Sequence, residues 1–355
     1  MNIYNFSAGP SILPKSVFEK AAQAVLNYKD SGLSLLEMSH RGPEFTEILS
    51  KARAKVKTLM ALNDDYEVLF LQGGASSQFM MVPYNILPSN GKAAYINTGT
   101  WSDKAIKEAQ IFGEVDIIAN SSEAGFNYIP KTFNIASDTT YLHITTNNTI
   151  YGTEYHKTPN CDCLLVGDMS SDIFSRKWDY SNYDLIYAGA QKNMGPAGAT
   201  LIVVKKSILG KVDRAIPSML KYETHIKKGS SFNTPPVFPI YVSLLTMNWI
   251  EHIGGIEALE KRNKEKAETL YAEIDRNPLF NGFAAVEDRS LMNVTFTIED
   301  KSKEATFIDF CTGRGIVGIK GHRSVGGFRA SIYNAMDLEG VEFLVEAMRG
   351  FEDGF

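Results

Sequence analysis

The sequence predicts an α/β protein: a large domain with a mostly parallel sheet of seven strands and helices on both faces, followed by a smaller α+β domain. Short apolar runs alternate with amphipathic helical stretches up to about residue 250, and longer charged helices dominate beyond it. Several of the runs are continuously apolar, which is typical of strands covered on both faces. A length of 355 residues also favours two domains.

The apolar pattern gives the elements of the large domain in order. A first helix is predicted over 14–27. A second begins near Pro43, because apolar residues recur at helical spacing from Phe45 to Met60. An amphipathic helix is predicted over 102–111. The seven strands are predicted at 68–71, 93–96, 115–118, 141–144, 164–166, 185–187 and 201–204.

A change of pattern marks the smaller domain. Gly254 and Gly255 interrupt the helical pattern, so we place the boundary there. Beyond it we predict helices at 256–275, 304–311 and 338–351, and strands at 294–297 and 329–332. The predicted domains are therefore 14–253 for the large one, and 1–13 with 254–355 for the small one.

Composition excludes several classes of protein. The net charge of −5 argues against nucleic acid or an anionic membrane as a partner. Three cysteines make a poor disulfide framework, and the spacing of Cys161 and Cys163 lacks the gap of common zinc sites, so we expect no metal. No secretory signal opens the chain, and prolines and polar residues argue against a membrane span at 229–250. We expect a cytoplasmic protein.

Lys192 is the first candidate for chemistry. It follows a predicted strand and small residues, and Gly195-Pro196 comes directly after it. The proline prevents a helix from starting at once, so the lysine should lie on a tight loop at a strand end, where α/β sheets bind ligands. An amine in such surroundings titrates low and can form a Schiff base. The alternative is an ordinary surface lysine.

Asp168 ends the apolar run at 164–166 and should also lie at the carboxyl end of a strand. An acid beside the ring nitrogen of pyridoxal phosphate keeps that nitrogen protonated and makes the ring an electron sink. The alternative is an aspartate that caps a helix or tightens a turn.

Two further strand ends carry candidate cofactor contacts. Gly73-Gly74-Ala75-Ser76 opens a helical run, where small residues let backbone N–H groups approach a phosphate. It matches neither the Walker pattern nor Gly-x-Gly-x-x-Gly, and a plain turn is the alternative. Trp101 follows another predicted strand and could cover an aromatic cofactor, or could be a packing residue.

Two His-Arg pairs lie beside glycines, at His40-Arg41 and at His322-Arg323, and Arg329 follows the second pair. The arginine fork binds carboxylate and phosphate in bidentate fashion, and histidine adds a donor. The alternative is a solvated surface feature.

Together these segments resemble the phosphoserine aminotransferases, a family of class V, fold-type I pyridoxal-phosphate enzymes. The resemblance covers nearly the whole chain. The matching segments are Phe6-Ser-Ala-Gly-Pro10, Met38-Ser-His-Arg41, Tyr187-Ala-Gly-Ala-Gln-Lys-Asn193 with Gly195-Pro-Ala-Gly198, Phe232-Asn-Thr-Pro-Pro236, Lys320-Gly-His-Arg323 and Arg329-Ala-Ser-Ile-Tyr-Asn-Ala335.

The resemblance implies a role for each candidate. Lys192 would hold pyridoxal phosphate as an internal aldimine and then shuttle the proton at the substrate α-carbon. Asp168 would pair with the pyridinium nitrogen, and Trp101 would stack on the ring. The other implied cofactor contacts are the backbone N–H groups of Ala75 and Ser76 with the phosphate, the side chains of Thr149 and Gln191, and Asn233 and Thr234 reaching the cofactor phosphate of the neighbouring subunit.

The last role implies a homodimer with shared active sites. Arg329 would take the substrate α-carboxylate, and the two His-Arg pairs, residues 40–41 and 322–323, would hold the distal phosphate or carboxylate. The implied reaction moves an amino group from glutamate to 3-phosphohydroxypyruvate, giving phosphoserine and 2-oxoglutarate in serine synthesis. Some bacterial relatives also act on a phosphorylated intermediate of pyridoxine synthesis, 4-phosphohydroxy-L-threonine.

Three other interpretations stay open. Another class V enzyme, such as an alanine–glyoxylate aminotransferase, would share the cofactor, and a cysteine desulfurase would need a mobile cysteine. A nucleotide-binding α/β module would give Lys192 no role. A non-catalytic relative would keep only the fold.

Overall fold

The computed structural model describes residues 2–354, and its elements follow the predicted alternation of strands and helices. The strands are, in order, β1 (Tyr4–Asn5), β2 (Tyr66–Leu71), β3 (Lys92–Asn97), β4 (Glu114–Asn120), β5 (Thr139–Thr145), β6 (Asn147–Asn148), β7 (Thr153–Glu154), β8 (Leu164–Asp168), β9 (Leu185–Gly189), β10 (Thr200–Lys205), β11 (Phe280–Gly282), β12 (Asn293–Ile298), β13 (Ile316–Val317) and β14 (Phe328–Ser331). The α-helices are α1 (Lys15–Leu26), α2 (Pro43–Leu59), α3 (Gly74–Ile86), α4 (Thr100–Ala109), α5 (Tyr222–Lys227), α6 (Val237–His252), α7 (Gly255–Arg276), α8 (Glu304–Gly313) and α9 (Leu338–Asp353).

All seven strands predicted for the large domain form one sheet, in the order β2-β10-β9-β8-β5-β3-β4. Only β10 runs antiparallel to its neighbours, so the carboxyl ends of the other strands lie at one edge. The predicted mostly parallel sheet is confirmed. That edge is where the chain can bring residues from several strands together.

Helices cover both faces of the sheet, as predicted. Along β2, Val68 and Phe70 pack in a core with α2 and α6, whereas Leu69 and Leu71 pack in a core with α3 and α4. Neighbouring residues of a strand point to opposite faces, so a strand between two helical layers needs apolar residues throughout. This explains why the runs were continuous rather than alternating.

The chain beyond residue 254 builds a separate core. β11, β12 and β14 form an antiparallel sheet, on which α7, α8 and α9 pack. Phe6 belongs to this core, and β1 pairs with β13. Gly254 and Gly255, with φ of 106° and 81°, turn the chain between α6 and α7. The exact division into 14–253 and 1–13 with 254–355 stays a prediction.

The uncharged stretch at 229–250 contains most of α6, a helix that the sequence analysis did not predict. Three prolines precede or open it, and proline is tolerated in the first turn because no N–H is needed there. Ile240, Leu244 and Met247 of α6 are buried in the core. Within residues 2–354, no helix is both long enough and apolar enough to cross a membrane.

Candidate active site

The carboxyl edge of the central sheet brings the main predicted residues together. β8 ends at Asp168, and the loop that carries Lys192 connects β9 to β10. Trp101 lies in the first turn of α4, after β3, and Thr149 follows β5 and β6. The sequence analysis placed Lys192, Asp168 and Trp101 after three separate strands and gave Thr149 only through the family resemblance; the parallel sheet makes the four residues neighbours.

In the described part of the chain, residues 2–354, the amine of Lys192 has one hydrogen-bond partner. Its Nζ donates to Thr149 Oγ1 at 2.7 Å. Burial lowers the pKa of the amine to about 8, and the charge of Arg329 adds to this effect while Asp168 and Asp172 oppose it. A substantial fraction of the amine is therefore unprotonated at mildly alkaline pH, which is the form that reacts with an aldehyde.

The N-terminal segment holds the lysine loop in place. The Ser11 N–H donates to the carbonyl of Gln191 at 2.9 Å, and the Ser11 hydroxyl donates to the carbonyl of Lys192. The Gln191 side chain folds against Gly189, where an added Cβ would lie 2.7 Å from Gln191 Oε1. Glycine at 189 therefore leaves the room that Gln191 occupies.

Asp168 is buried, with 4% of its surface exposed. Burial raises the pKa of its carboxyl, and a hydrogen bond from the Ser170 N–H at 2.9 Å, the charge of Lys192 and the Tyr187 hydroxyl all counteract that rise. The carboxyl group thus lies buried at the edge of the sheet, with Lys192 near enough to act on it electrostatically.

Trp101 lies beside both lysines of the site. Lys192 Nζ is 5.7 Å from the centre of its ring, and Lys104 Nζ is 4.6 Å from it. The indole Nε1 is buried and finds no hydrogen-bond partner in the part of the chain that the structure describes. Buried polar atoms in proteins almost always have partners, so this donor is available to a bound molecule.

The loop between β2 and α3 has the geometry of an anion site. Gly73 and Gly74 both have positive φ, 91° and 64°, and an added Cβ on Gly73 would lie 1.9 Å from Ser77 Oγ. The N–H groups of Ala75 and Ser76 are in the first turn of α3 and have no partner within the helix. These N–H groups lie at the positive end of the helix dipole, which favours a bound phosphate.

Arg329 lies on β14 and reaches the same threonine as Lys192. Its Nη1 donates to the carbonyl of Thr149 at 3.2 Å, and its buried Nε has no hydrogen-bond partner among residues 2–354. Burial lowers the pKa of the guanidinium. Arg329 lies close enough to Lys192 for its charge to lower the pKa of that amine.

Buried amides fix β14 relative to the lysine loop. Asn193 Oδ1 accepts from the Asn334 N–H at 3.0 Å, and Asn147 Nδ2 donates to Asn293 Oδ1 at 2.8 Å. Arg329 is thereby held close to Lys192 although 137 residues separate them in the chain, as 329 − 192 = 137.

A group of basic residues lies near Arg329, and we call it the entrance of the site: His322, Arg323 and Lys104. His322 Nδ1 and Ser324 Oγ are 2.6 Å apart, and Arg323 is exposed on the same turn. Burial lowers the pKa of His322, and the charges of Arg329, Arg323 and Lys104 lower it further. Within residues 2–354, neither His322 nor the cations Arg323, Arg329 and Lys104 form an ion pair with a carboxylate.

Four predicted residues lie apart from this group. His40 and Arg41 are on the turn before α2, where Arg41 is exposed, and within residues 2–354 no hydrogen bond joins either to Lys192 or Asp168. Asn233 Nδ2 donates to Gln72 Oε1 at 3.4 Å, and Gln72 Nε2 donates to the carbonyl of Thr234 at 2.8 Å. Their predicted reach into a neighbouring subunit stays a prediction.

Several residues of the site were missed from the sequence. Lys104 is one helical turn from Trp101, and that spacing was a usable signal. Ser11 lies next to the Phe6–Pro10 segment, which had been matched but given no role. Nothing in the sequence links Tyr187 to Asp168; the parallel pairing of β8 and β9 places them side by side.

Comparison with known proteins identifies the family. The profile of the family described as aminotransferase class-V matches residues 3–344. The chain belongs to the class-V aminotransferases. The predicted resemblance, and with it an aminotransferase fold of type I, is confirmed.

Three similar proteins are all phosphoserine aminotransferases. The phosphoserine aminotransferase of Flavobacterium psychrophilum is 57% identical over 354 residues, which cover 99% of each chain. A solved phosphoserine aminotransferase, studied for radiation damage of its Schiff base, is 44% identical, with a TM-score of 0.97 over 100% of each chain. The pyridoxal-phosphate-bound phosphoserine aminotransferase of Trichomonas vaginalis is 37% identical, with a TM-score of 0.93 over 98% of this chain and 100% of that one.

Proposed function

We propose that this class-V aminotransferase transfers the amino group of L-glutamate to 3-phosphohydroxypyruvate, giving O-phospho-L-serine and 2-oxoglutarate, with pyridoxal phosphate as its cofactor. The observation that carries the proposal is the convergence of three groups at one sheet edge: the amine of Lys192, the buried carboxylate of Asp168 and the fork of Arg329. The names of the close relatives support the substrates.

The residues present fit pyridoxal phosphate. Unpartnered donors line the site, namely the Trp101 indole N–H and the first N–H groups of α3. Ala75 and Ser76 would bind the phosphate, Trp101 would cover the ring, and Asp168 would face the ring nitrogen. Thr149 and Gln191 would complete the polar contacts. When bound, the cofactor supplies an aldehyde for Lys192 and a ring that withdraws electrons from the substrate α-carbon.

Lys192 is the proposed general base and acid. Because burial brings its pKa to about 8, the amine can accept a proton from the substrate α-carbon and return it in the same pH range. Thr149 Oγ1 orients the Nζ atom through the 2.7 Å hydrogen bond. The Lys192 amine can therefore transfer the α-carbon proton of both glutamate and phosphoserine, in both directions of the reaction.

Arg329 is the proposed site for the α-carboxylate that every substrate carries. One of its nitrogens is engaged with Thr149, and its buried Nε has no partner. A carboxylate accepts two parallel hydrogen bonds from such a fork.

The positive charge at the entrance of the site supports the proposal that the substrate carries a second anionic group. The charges of Arg329, Arg323 and Lys104 all act on His322, and no carboxylate forms an ion pair with these residues within residues 2–354. The three cations repel each other, so binding of a phosphate or a distal carboxylate relieves that repulsion, and His322 adds a hydrogen-bond donor. His40 and Arg41 are proposed to join this group from the neighbouring subunit.

The proposal includes a homodimer with shared sites. Phe18, Leu26, Leu33 and Leu36 are large apolar side chains that are more than half exposed on α1 and the segment after it, and such a patch marks an interface. Asn233 and Thr234 would then contact the cofactor phosphate of the neighbouring subunit. We also propose a cytoplasmic location, since all three cysteines are free, and activity on 4-phosphohydroxy-L-threonine.

A coupled assay tests the reaction. The purified protein is supplied with glutamate and 3-phosphohydroxypyruvate, with and without added pyridoxal phosphate, and 2-oxoglutarate is measured. We expect turnover that depends on the cofactor and exceeds the rate with pyruvate or glyoxylate, which lack a distal anion. A faster reaction with glyoxylate would favour the alanine–glyoxylate type instead.

Shared sites are tested by co-expression of two inactive variants, Lys192→Ala and the double variant Asn233→Ala with Thr234→Ala. If each site takes residues from both subunits, mixed dimers contain one intact site and regain activity. Absence of any regain in verified mixed dimers would contradict shared sites.

A further inference from the structure

A row of buried polar rings crosses the face of the central sheet that α3 and α4 cover. Tyr95 on β3 stacks on His143 of β5, with ring centres 4.8 Å apart and an interplanar angle of 21°. His143 Nε2 lies 2.8 Å from the hydroxyl of Tyr187 on β9. Tyr187 pairs directly with Asp168 of β8. The row thus ends at the carboxylate of the proposed cofactor site.

The direction of the hydrogen bonds along this row follows from His143. Burial lowers the pKa of its imidazole to about 3, so the ring is neutral and carries one proton. Among residues 2–354, buried Nδ1 has no partner with the geometry of a hydrogen bond. A proton on Nδ1 would leave a buried donor unsatisfied, whereas a proton on Nε2 is donated to the Tyr187 oxygen.

Tyr187 in turn has its own proton to donate. Burial raises the pKa of its hydroxyl well above the ordinary value, so it remains a neutral donor. Its oxygen accepts from His143. Asp168 is the directly paired residue of β8, and its carboxylate lies close enough for the Tyr187 hydroxyl to lower its pKa. The order of donation is therefore His143 to Tyr187 to Asp168.

Asp168 needs such a donor because it is buried. A buried carboxylate is strongly disfavoured as an ion unless hydrogen bonds or charges stabilise it. The Ser170 N–H supplies one bond at 2.9 Å, from the loop after β8. Tyr187 approaches from the neighbouring strand and so acts on the carboxylate independently of that loop.

We propose that Tyr187, oriented by His143, is a positioning residue for Asp168: it keeps the carboxylate ionised and aimed at the ring nitrogen of the bound cofactor. The inference rests on the proposed function, since it requires pyridoxal phosphate in the site. It adds two buried residues, Tyr187 and His143, that would support the site without touching substrate.

The test compares two cofactors in the Tyr187→Phe variant. One is pyridoxal phosphate, and the other is its 1-deaza analogue, which carries C–H in place of the ring nitrogen. Dissociation constants are measured by titration of the apoenzyme, followed by fluorescence. Tyr95→Phe is the matched control, because its hydroxyl bonds to Tyr141 at 2.9 Å and belongs to the same buried row.

We expect Tyr187→Phe to weaken binding of pyridoxal phosphate about tenfold to a hundredfold, as for a lost hydrogen bond to a charged group. Binding of the deaza analogue should change less than about twofold, because without a ring nitrogen the ionised carboxylate has no cation to pair with. Tyr95→Phe should affect neither. His143→Phe, which removes only the donor to Tyr187, should give a smaller loss with the same selectivity.

Equal losses for both cofactors in Tyr187→Phe, or no loss for either, would overturn the positioning role, since a purely structural effect does not distinguish the two rings. Failure of the unsubstituted apoenzyme to bind pyridoxal phosphate would instead refute the proposed function. The two failures are therefore distinguishable.

Discussion

The amine of Lys192 donates a hydrogen bond to Thr149 Oγ1 at 2.7 Å. The carbonyl of the same threonine accepts a hydrogen bond from Arg329 at 3.2 Å. One residue on the loop after β5 and β6 therefore positions both the proposed proton-transfer group and the proposed carboxylate-binding group. The distance between them is set by this shared contact and by the amides that hold β14.

Replacing the central lysine should abolish the reaction and leave the fold intact. Lys192→Ala is expected to lower kcat by roughly a thousandfold or more, the upper range for loss of a general acid–base group. The Tm of the Lys192→Ala apoenzyme should be no lower than that of the unsubstituted apoenzyme, because burial already disfavours the charged amine. Lys177→Ala, which removes an exposed lysine with a surface ion pair to Glu257, is the control and should retain full turnover. Near-normal turnover in Lys192→Ala would remove the central assignment.

Loss of Arg329 should impair both substrates. Arg329→Ala is expected to raise KM about tenfold to a hundredfold for glutamate and for 3-phosphohydroxypyruvate alike, because both carry the α-carboxylate. Arg314→Ala removes an exposed arginine that packs on Phe310 and should leave both KM values unchanged. An effect confined to the phosphorylated substrate would show that the α-carboxylate binds elsewhere.

The entrance cations should discriminate between acceptors. Arg323→Ala and Lys104→Ala each remove a partly exposed charge, and His322→Ala removes a hydrogen-bond donor; each is expected to raise KM for 3-phosphohydroxypyruvate by about threefold to tenfold. They should have little effect on KM for pyruvate, which has no distal anion. Lys107→Ala, on the same helix as Lys104 and exposed, is the control. Equal losses with both acceptors would refute the distal-anion role.

The rate of cofactor uptake should depend on pH, with a midpoint near the pKa of the Lys192 amine. Burial lowers the pKa of this amine to about 8, so the reactive unprotonated form increases as pH rises and levels off above about 8. The rate at which apoenzyme takes up pyridoxal phosphate, followed by absorbance, should rise accordingly. Arg329→Gln removes a positive charge that lowers this pKa, so the midpoint should move to higher pH. Arg314→Gln should leave it unchanged. A profile that is flat, or that falls with rising pH, would contradict this assignment.

Much of the fold could be predicted from local pattern. The seven continuous apolar runs became the seven strands of the sheet, because a strand between two helical layers must be apolar on both sides. α6 was missed, since its apolar residues are spread around the helix and gave no amphipathic period. A helix covered on all sides cannot be distinguished from a buried strand or a membrane segment by periodicity alone.

The sequence by itself determined the kinds of residue at the strand ends: a lysine before Gly195-Pro196, an aspartate after an apolar run, and a glycine pair opening a helix. Only the tertiary structure decided which of them meet. Parallel pairing of β8 with β9 sets Tyr187 against Asp168, and the docking of β14 brings Arg329 to Thr149. Strand pairing and docking depend on contacts between residues far apart in the chain, which local propensity does not encode, and burial at that junction is what brings the pKa of Lys192 to about 8.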